Sequence, residues 1–321
     1  MPAFIRERFS RDLATGRSAR GNVDIPGIVA GWMNDRAWQS EAARIGDQSV
    51  TAELHDLGAQ AFVDDAGHYA SELRANTRGL DAWWLRTDRE RFLKDHVSLL
   101  FMAAADEPAM ARYRDDARSM EVAADGFDLL ATYRGNGSGL LLLGINQGHP
   151  GPLIFHPALE AFEIGVVQHS PGVRTPVNLT RDGRVRALPA STIGCRHARD
   201  LLLRGQCVLV ANDYVFEGVP TLASPLFGDA VPIARALVAL ALRSRATILP
   251  ISYERQVDAP ARRYFVRVFP GFTASDLGLC DMMSLAKAMG RITEALICRA
   301  PEQWRLWNTL QDRWRTADRA T

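Results

Sequence analysis

The stretch GLLLLGINQGHPGPLIFH, residues 139–156, runs apolar, breaks at Asn146, Gln147 and His149, and turns apolar again. Two carboxamides and an imidazole so close together can donate to a developing oxyanion and relay a proton. A second such break is VANDYVFEG, where Asp213 closes another apolar run and Glu217 follows as a candidate substrate contact. An Asn-Asp pair is equally good turn chemistry, and a lone histidine as readily packs as reacts. His149 stands out from His55, His68, His96, His156, His169 and His197 because it falls inside a polar break between two glycines. Between these segments Arg174, Arg181 and Arg184 occupy a polar connection. Their planar guanidinium forks suit phosphate or carboxylate on a ligand.

Chemistry at Asn146 and Asp213 requires two loops to meet, and the flanking pattern provides for that. GLLLLGIN, EIGVVQHS, QCVLVAND, ATILPISYER and RYFVRVFPG are short, rich in branched apolar residues and bounded by Gly, Pro, Asn or Asp, as strands are. GCRHARDLLLRG and PIARALVALALRSR between them carry helical spacing. This alternation predicts an α/β fold, a mostly parallel sheet flanked by helices. In such sheets ligands bind beyond the carboxyl ends of the strands, where both Asn146 and Asp213 fall.

IPGIVAGWMNDRAW, AWWLRTDRERFLKDHVSLLFMAAA and EPAMARYRDDARSMEVAADGFDLLATY read as helices. They give a helical N-terminal region over residues 1–134, with Trp83 and Trp84 packed against the body. RGNGSG is a flexible connector into a core over 135–321. That core closes on two C-terminal helices, SLAKAMGRITEALICRA and PEQWRLWNTLQDRW, the second opened by Pro301. The terminal DRWRTADRAT is expected to fray.

Composition narrows the class. The chain has 321 residues, 47% hydrophobic and 23% charged, ordinary values for a globular protein. A net charge of +1 offers no global field for DNA. Lys94 and Lys287 are the only lysines, so an anionic ligand would meet arginine. GLLLLGI and ALVALAL fall far short of the ~18 apolar residues of a bilayer span, and the polar start is no secretory signal. The expectation is a cytoplasmic protein without a transmembrane anchor. Cys195, Cys207, Cys280 and Cys298 form no CxxC pair, so they read as buried thiols with no metal site. GNGSG precedes a strand, whereas a dinucleotide fingerprint follows one, and GxSxG, GxxxxGK[ST] and HExxH are absent.

Three later segments carry a resemblance. QCVLVANDYVFEGVPTLASPLFG, ALVALALRSRATILPI and ITEALICRAPEQW resemble, in order and spacing, the lipid A late acyltransferases of the lysophospholipid acyltransferase-like superfamily. Pro301, Glu302, Gln303 and Trp304 keep that family's closing tetrapeptide intact. The resemblance covers roughly Gly139 to Trp304 and implies an α/β fold and acyl transfer from a carrier-bound thioester. It also implies a His, four residues, then Asp or Glu after the first sheet strand, where the histidine takes the acceptor's proton. Here that histidine falls on Asn146 and its carboxylate on Gly151. His149 is followed at the required spacing by Ile154, and Glu160 comes one residue too early for His156. Asp213 matches the family's first aspartate after the later strand, and Val215 stands at the second. No counterpart of the family's membrane-anchoring N-terminal helix is expected here.

These departures bear on mechanism. An alcohol needs a base, worth about 10²–10⁴ in rate, whereas a neutral amine or hydroxylamine is already nucleophilic. Such an acceptor needs positioning and oxyanion stabilisation. The expectation is acyl or aminoacyl transfer to a small amine, hydroxylamine or hydroxyl acceptor in specialised metabolism. Asn146 and Gln147 polarise the acyl carbonyl, His149 handles the proton, and Asp213 orients His149 or the acceptor. Arg174, Arg181, Arg184 and Glu217 are the substrate contacts. No bound cofactor is implied; the donor is a co-substrate, acyl-CoA, an acyl carrier protein or an aminoacyl-tRNA. The rivals are a non-catalytic binding protein and a lipid acyltransferase with a relocated base.

Overall fold

In a computed structural model, the described residues are 69–77, 80, 88–116, 120–135, 137–168, 183–215, 219–256, 263–279 and 281–310, with Arg11, Asp12, Ile28, Gly31, Asp35 and Arg313. Arg174, Arg181, Glu217, His55, His68, His169, Trp83, Trp84 and Cys280 lie outside them, as does most of IPGIVAGWMNDRAW. The chain divides into two compact units. One comprises residues 1–121, 255–263 and 301–311; the other comprises 122–254, 264–300 and 312–321.

The first unit holds helices α1 (Tyr69–Thr77) and α2 (Arg89–Asp115). Asp88 caps α2, its side chain accepting from the Arg91 N–H, which satisfies one of the open donors of a helix start. Asp115 ends that helix, although the sequence pattern continues it. Glu121–Asp125 forms strand β1 instead, and Asp128–Gly135 forms a separate helix, α3. EVAAD carries too little apolar periodicity to choose for itself, and pairing at the sheet edge decides.

The second C-terminal helix is also corrected. Beyond Pro301 the chain makes two short 3₁₀ turns, Pro301–Gln303 and Trp307–Thr309. Tertiary bonding overrides the helical spacing here. The Gln303 carboxamide lies along the backbone of Arg255, its Oε1 accepting from the N–H and its Nε2 donating to the carbonyl, both at 2.8 Å. Trp304 and Trp307 are fully buried, edge to face at 4.6 Å, and the Trp307 indole N–H donates to the Pro301 carbonyl. His96 Nδ1 donates to the Glu302 carbonyl at 2.9 Å. Arg255 pairs with Asp106 at 2.6 Å, both buried. The Pro-Glu-Gln-Trp tetrapeptide is thus a packing block, with Pro301, Gln303 and Trp304 buried and the Glu302 backbone carbonyl bonded to His96.

The second unit is built on a seven-stranded sheet of order β1-β9-β8-β2-β5-β3-β4. Its members are β1, β2 (Leu140–Gly144), β3 (Ile164–Gln168), β4 (Val185–Pro189), β5 (Cys207–Ala211), β8 (Thr247–Arg255) and β9 (Arg263–Val268). The run β8-β2-β5-β3-β4 is parallel throughout, as alternating strands and helices require. All five residues of β2 are buried, which explains its unbroken leucines. One face packs Leu140, Leu142, Leu209, Leu249 and Ile251 with Leu153 and Ile154 of the one-turn helix α4 (Gly151–Ile154). The other packs Leu141, Leu143, Val210 and Ile248 against α5 (Thr192–Leu203), α6 (Arg235–Ser244) and α7 (Met282–Ile297).

The hairpin β6 (Thr221–Leu226) to β7 (Asp229–Ala234) is antiparallel, with Leu226 opposite Asp229. Its two turn residues, Phe227 and Gly228, both have positive φ, the tight turn that suits a twisted hairpin. Glu294 of α7 accepts from the Phe227 N–H at 2.5 Å, anchoring a residue type that seldom adopts this conformation. Among the described residues no helix is long and apolar enough to cross a membrane.

Candidate active site

Strands β2 and β5 end together, Gly144 beside Ala211. The pairing runs one residue further, where the Asn212 N–H donates to the Gly144 carbonyl at 2.9 Å. Asn146 and Asp213 therefore emerge side by side beyond the carboxyl edge, where parallel sheets bind ligands. The Asp213 carboxylate, 3% exposed, grips Asn146 twice. Oδ2 accepts from the Asn146 backbone N–H at 2.8 Å, and Oδ1 accepts from its Nδ2 at 2.9 Å. An ionised carboxylate can only accept, so the amide nitrogen must face Asp213. Asn146 is half-buried, and its carbonyl Oδ1 is turned away from the carboxylate.

The neighbouring strand steadies this loop. Tyr253 on β8 donates its hydroxyl to the Ile145 carbonyl at 2.7 Å. Gly144 makes that approach possible, since a Cβ there would stand 3.1 Å from the Tyr253 oxygen. On the other side, residues adjoining the pair are tied to α7 and the chain after it. Asn212 Nδ2 donates to Thr293 Oγ1 at 2.6 Å, and Gln147 Nε2 donates to the Ala300 carbonyl at 3.0 Å.

Gln147 is thereby removed from the role the sequence suggested. It is buried, its nitrogen is engaged, and its Oε1 has no hydrogen-bond partner. His149 is also buried, and its Nδ1 accepts from the Gly151 N–H at 2.9 Å. A neutral ring with an accepting Nδ1 carries its proton on Nε2. His149 is thus presented as a donor, the opposite of a histidine whose Nδ1–H is oriented by a carboxylate. Asp213 has both oxygens on Asn146, so the residue it orients is Asn146. His156 serves packing, capping the turn at Ala158 and lying 4.2 Å from the Phe127 ring, with burial lowering its pKa.

Arg184 is not brought to this edge. It precedes β4, and its Nη1 donates to the Leu159 carbonyl at 2.7 Å. The parallel strands β3 and β4 begin there, so a strand length of roughly 16 Å separates it from their carboxyl ends. Cys207 starts β5, and burial pushes its thiol far above the usual range, as in a structural cysteine.

Tyr253 and Arg313 are contributors the sequence reading missed. Arg313, in the tail expected to fray, is helical and partly buried. Burial pulls its guanidinium below the ordinary value, while Asp213 and Tyr214 work to keep it charged. Nothing in DRWRTADRAT signals this; Tyr253 was findable only from its place three residues beyond the end of the β8 run paired with β2. Among the described residues, no group of three His, Cys, Asp or Glu side chains could hold a metal ion.

Residues 184–316 match the family model of the bacterial lipid A biosynthesis acyltransferases. Over that stretch the chain is similar to this family. The matched stretch holds Asp213, the β6–β7 hairpin, α7 and Arg313, whereas β2 and the Asn146 loop precede it. The departure from the family's histidine thus lies outside the matched residues. A solved structure, the 1-acyl-sn-glycerophosphate (LPA) acyltransferase PlsC from Thermotoga maritima, is 13% identical with a TM-score of 0.41, covering 80% of this chain and 97% of that one. No curated protein matches.

Proposed function

We propose that this chain is a cytoplasmic enzyme that moves an acyl or aminoacyl group from an activated thioester or ester to a small amine, hydroxylamine or hydroxyl acceptor. The reacting atoms meet over Asn146 and Asp213. The observation that carries this reading is the double hydrogen bond between those residues at the carboxyl edge of a parallel sheet. A buried carboxylate is costly unless its charge is answered. Here it fixes one partly open amide, an arrangement that packing alone does not call for.

In this reading Asn146 engages the acceptor and the His149 Nε2–H donates toward the oxyanion or leaving group, stabilising charge as it develops. Asp213 helps to keep the guanidinium of Arg313 charged. The donor is a co-substrate, whether acyl-CoA, an acyl carrier protein or an aminoacyl-tRNA. An amide in the place of the family's base is also what a binding protein would tolerate. Purified protein incubated with these donors and with mixed amine, hydroxylamine and alcohol acceptors separates the two. Mass spectrometry should show an acylated acceptor; donor binding without product from any combination would leave only the binding protein.

A further inference from the structure

We infer that the acceptor is a weakly basic nitrogen nucleophile, held by an N–H on the side-chain carbonyl of Asn146. The inference rests on the acyl-transfer reading and narrows it. The Nδ2 of Asn146 is turned onto Asp213 at 2.9 Å, so the end of the amide turned away from the carboxylate is Oδ1, an acceptor of hydrogen bonds. The negative charge behind the amide polarises it and strengthens acceptance at Oδ1. An amide oxygen takes a hydrogen bond at neutral pH but does not take the proton.

An alcohol on Oδ1 would therefore remain protonated and unreactive. The neighbouring groups do not supply the missing base. Gln147 is buried with its nitrogen on Ala300, His149 accepts at Nδ1 and so carries a proton at Nε2, and both Asp213 oxygens are on Asn146. A neutral amine is different, because its lone pair is nucleophilic while every N–H stays in place, whereas a neutral alcohol must lose its proton to attack. The N–H lies on Asn146 Oδ1 while the lone pair forms the C–N bond to the acyl carbon. The C–S or C–O bond of the donor breaks with its electron pair going to sulfur or oxygen. The surplus N–H proton then passes through water to that leaving group, giving an amide or hydroxamate and a thiol or alcohol.

Since only the free base attacks, an α-amine of pKa about 8 has about 10²-fold more reactive form at neutral pH than an alkyl amine of pKa about 10.4. Ionisable groups on the surrounding elements are His149 after β2, Asp213 and Tyr214 after β5, Tyr253 on β8, and Arg313.

The test uses hexanoyl-coenzyme A, hexanoyl-loaded acyl carrier protein and an aminoacyl-tRNA as donors, with acceptors of matched size: an alkoxyamine, an α-amino amide, an alkyl amine and an alcohol. Amide-type products should exceed ester by at least about 10²-fold, the value of an absent base. The midpoint of kcat/KM against pH should move with the acceptor's own pKa, and Asn146→His should raise the ester share. Ester formed as fast as amide, or one midpoint shared by all acceptors, would overturn the inference while leaving acyl transfer standing. No acyl product from any acceptor would overturn both.

Discussion

Both oxygens of Asp213 accept from Asn146, and that grip sets what the site can do. Asn146 is held by its backbone and side chain together, so it has little freedom to rotate. Tyr253 fixes the carbonyl just before it. Replacing Tyr253 with Phe removes the 2.7 Å hydroxyl donor from the Ile145 carbonyl, which keeps the Gln147 N–H at 2.8 Å; the loss of one such hydrogen bond costs about 0.5–1.5 kcal/mol. Urea unfolding of Tyr253→Phe should show that loss, with acyl transfer reduced because the Asn146 loop shifts; unchanged stability and rate would remove Tyr253 from the site. The meeting of Asn146 and Asp213 was legible, since both close apolar runs that read as strands. Their bond was not, because it depends on the register of β2 against β5. Nor was the engagement of Gln147 and His149, whose partners are a backbone carbonyl after α7 and a local amide.

At the scale of elements, α7 does two jobs. Its inward face packs on the sheet, and Asn212 reaches its Thr293 from behind the site. It also lies against β6 so closely that Gly290 has no room for a side chain. A Cβ there would meet Ser224 Oγ and would stand 2.6 Å from the Pro225 carbonyl. Because one of those atoms is backbone, relief requires the helix to move. Gly290→Ala should therefore destabilise the fold by about 1–3 kcal/mol, read as a lower Tm, and should weaken activity as α7 carries Asn212 and Ala300 with it. A neutral or stabilising substitution would show that the approach is not tight. The strands β2, β3, β5, β8 and β9 were readable because their buried runs are rich in Val, Ile and Leu. β1, β4, β6 and β7 were not: β1 and β4 are sheet-edge strands with mostly exposed residues, and the hairpin is interrupted by Pro225 and Pro232. The helix expected after Pro301 failed because Gln303 bonds the distant Arg255 backbone and Trp307 turns its indole back onto the Pro301 carbonyl.

For the molecule as a whole, stability should carry a signature of His96. This ring is buried, donates to the Glu302 carbonyl, and has its pKa lowered from 6.5 to about 4, chiefly by burial. The unfolded chain takes up a proton as pH falls through 6.5, while the folded protein resists until about 4. The stabilisation is complete above 6.5 and drains away toward 4, by about 3 kcal/mol. Unfolding free energies across this window should fall more steeply in the wild type than in His96→Gln, which keeps a donor without the titration. Equal slopes would contradict the assignment.

The central claim is that Asn146 and Asp213 act as one unit in acyl transfer. A double-mutant cycle on single-turnover rates measures that directly, using Asn146→Ala, Asp213→Ala and the pair. The account predicts that each single substitution slows transfer by a similar factor and that the double variant is scarcely slower than either. Losses that multiply in the double variant, or a single variant that keeps the wild-type rate, would contradict it.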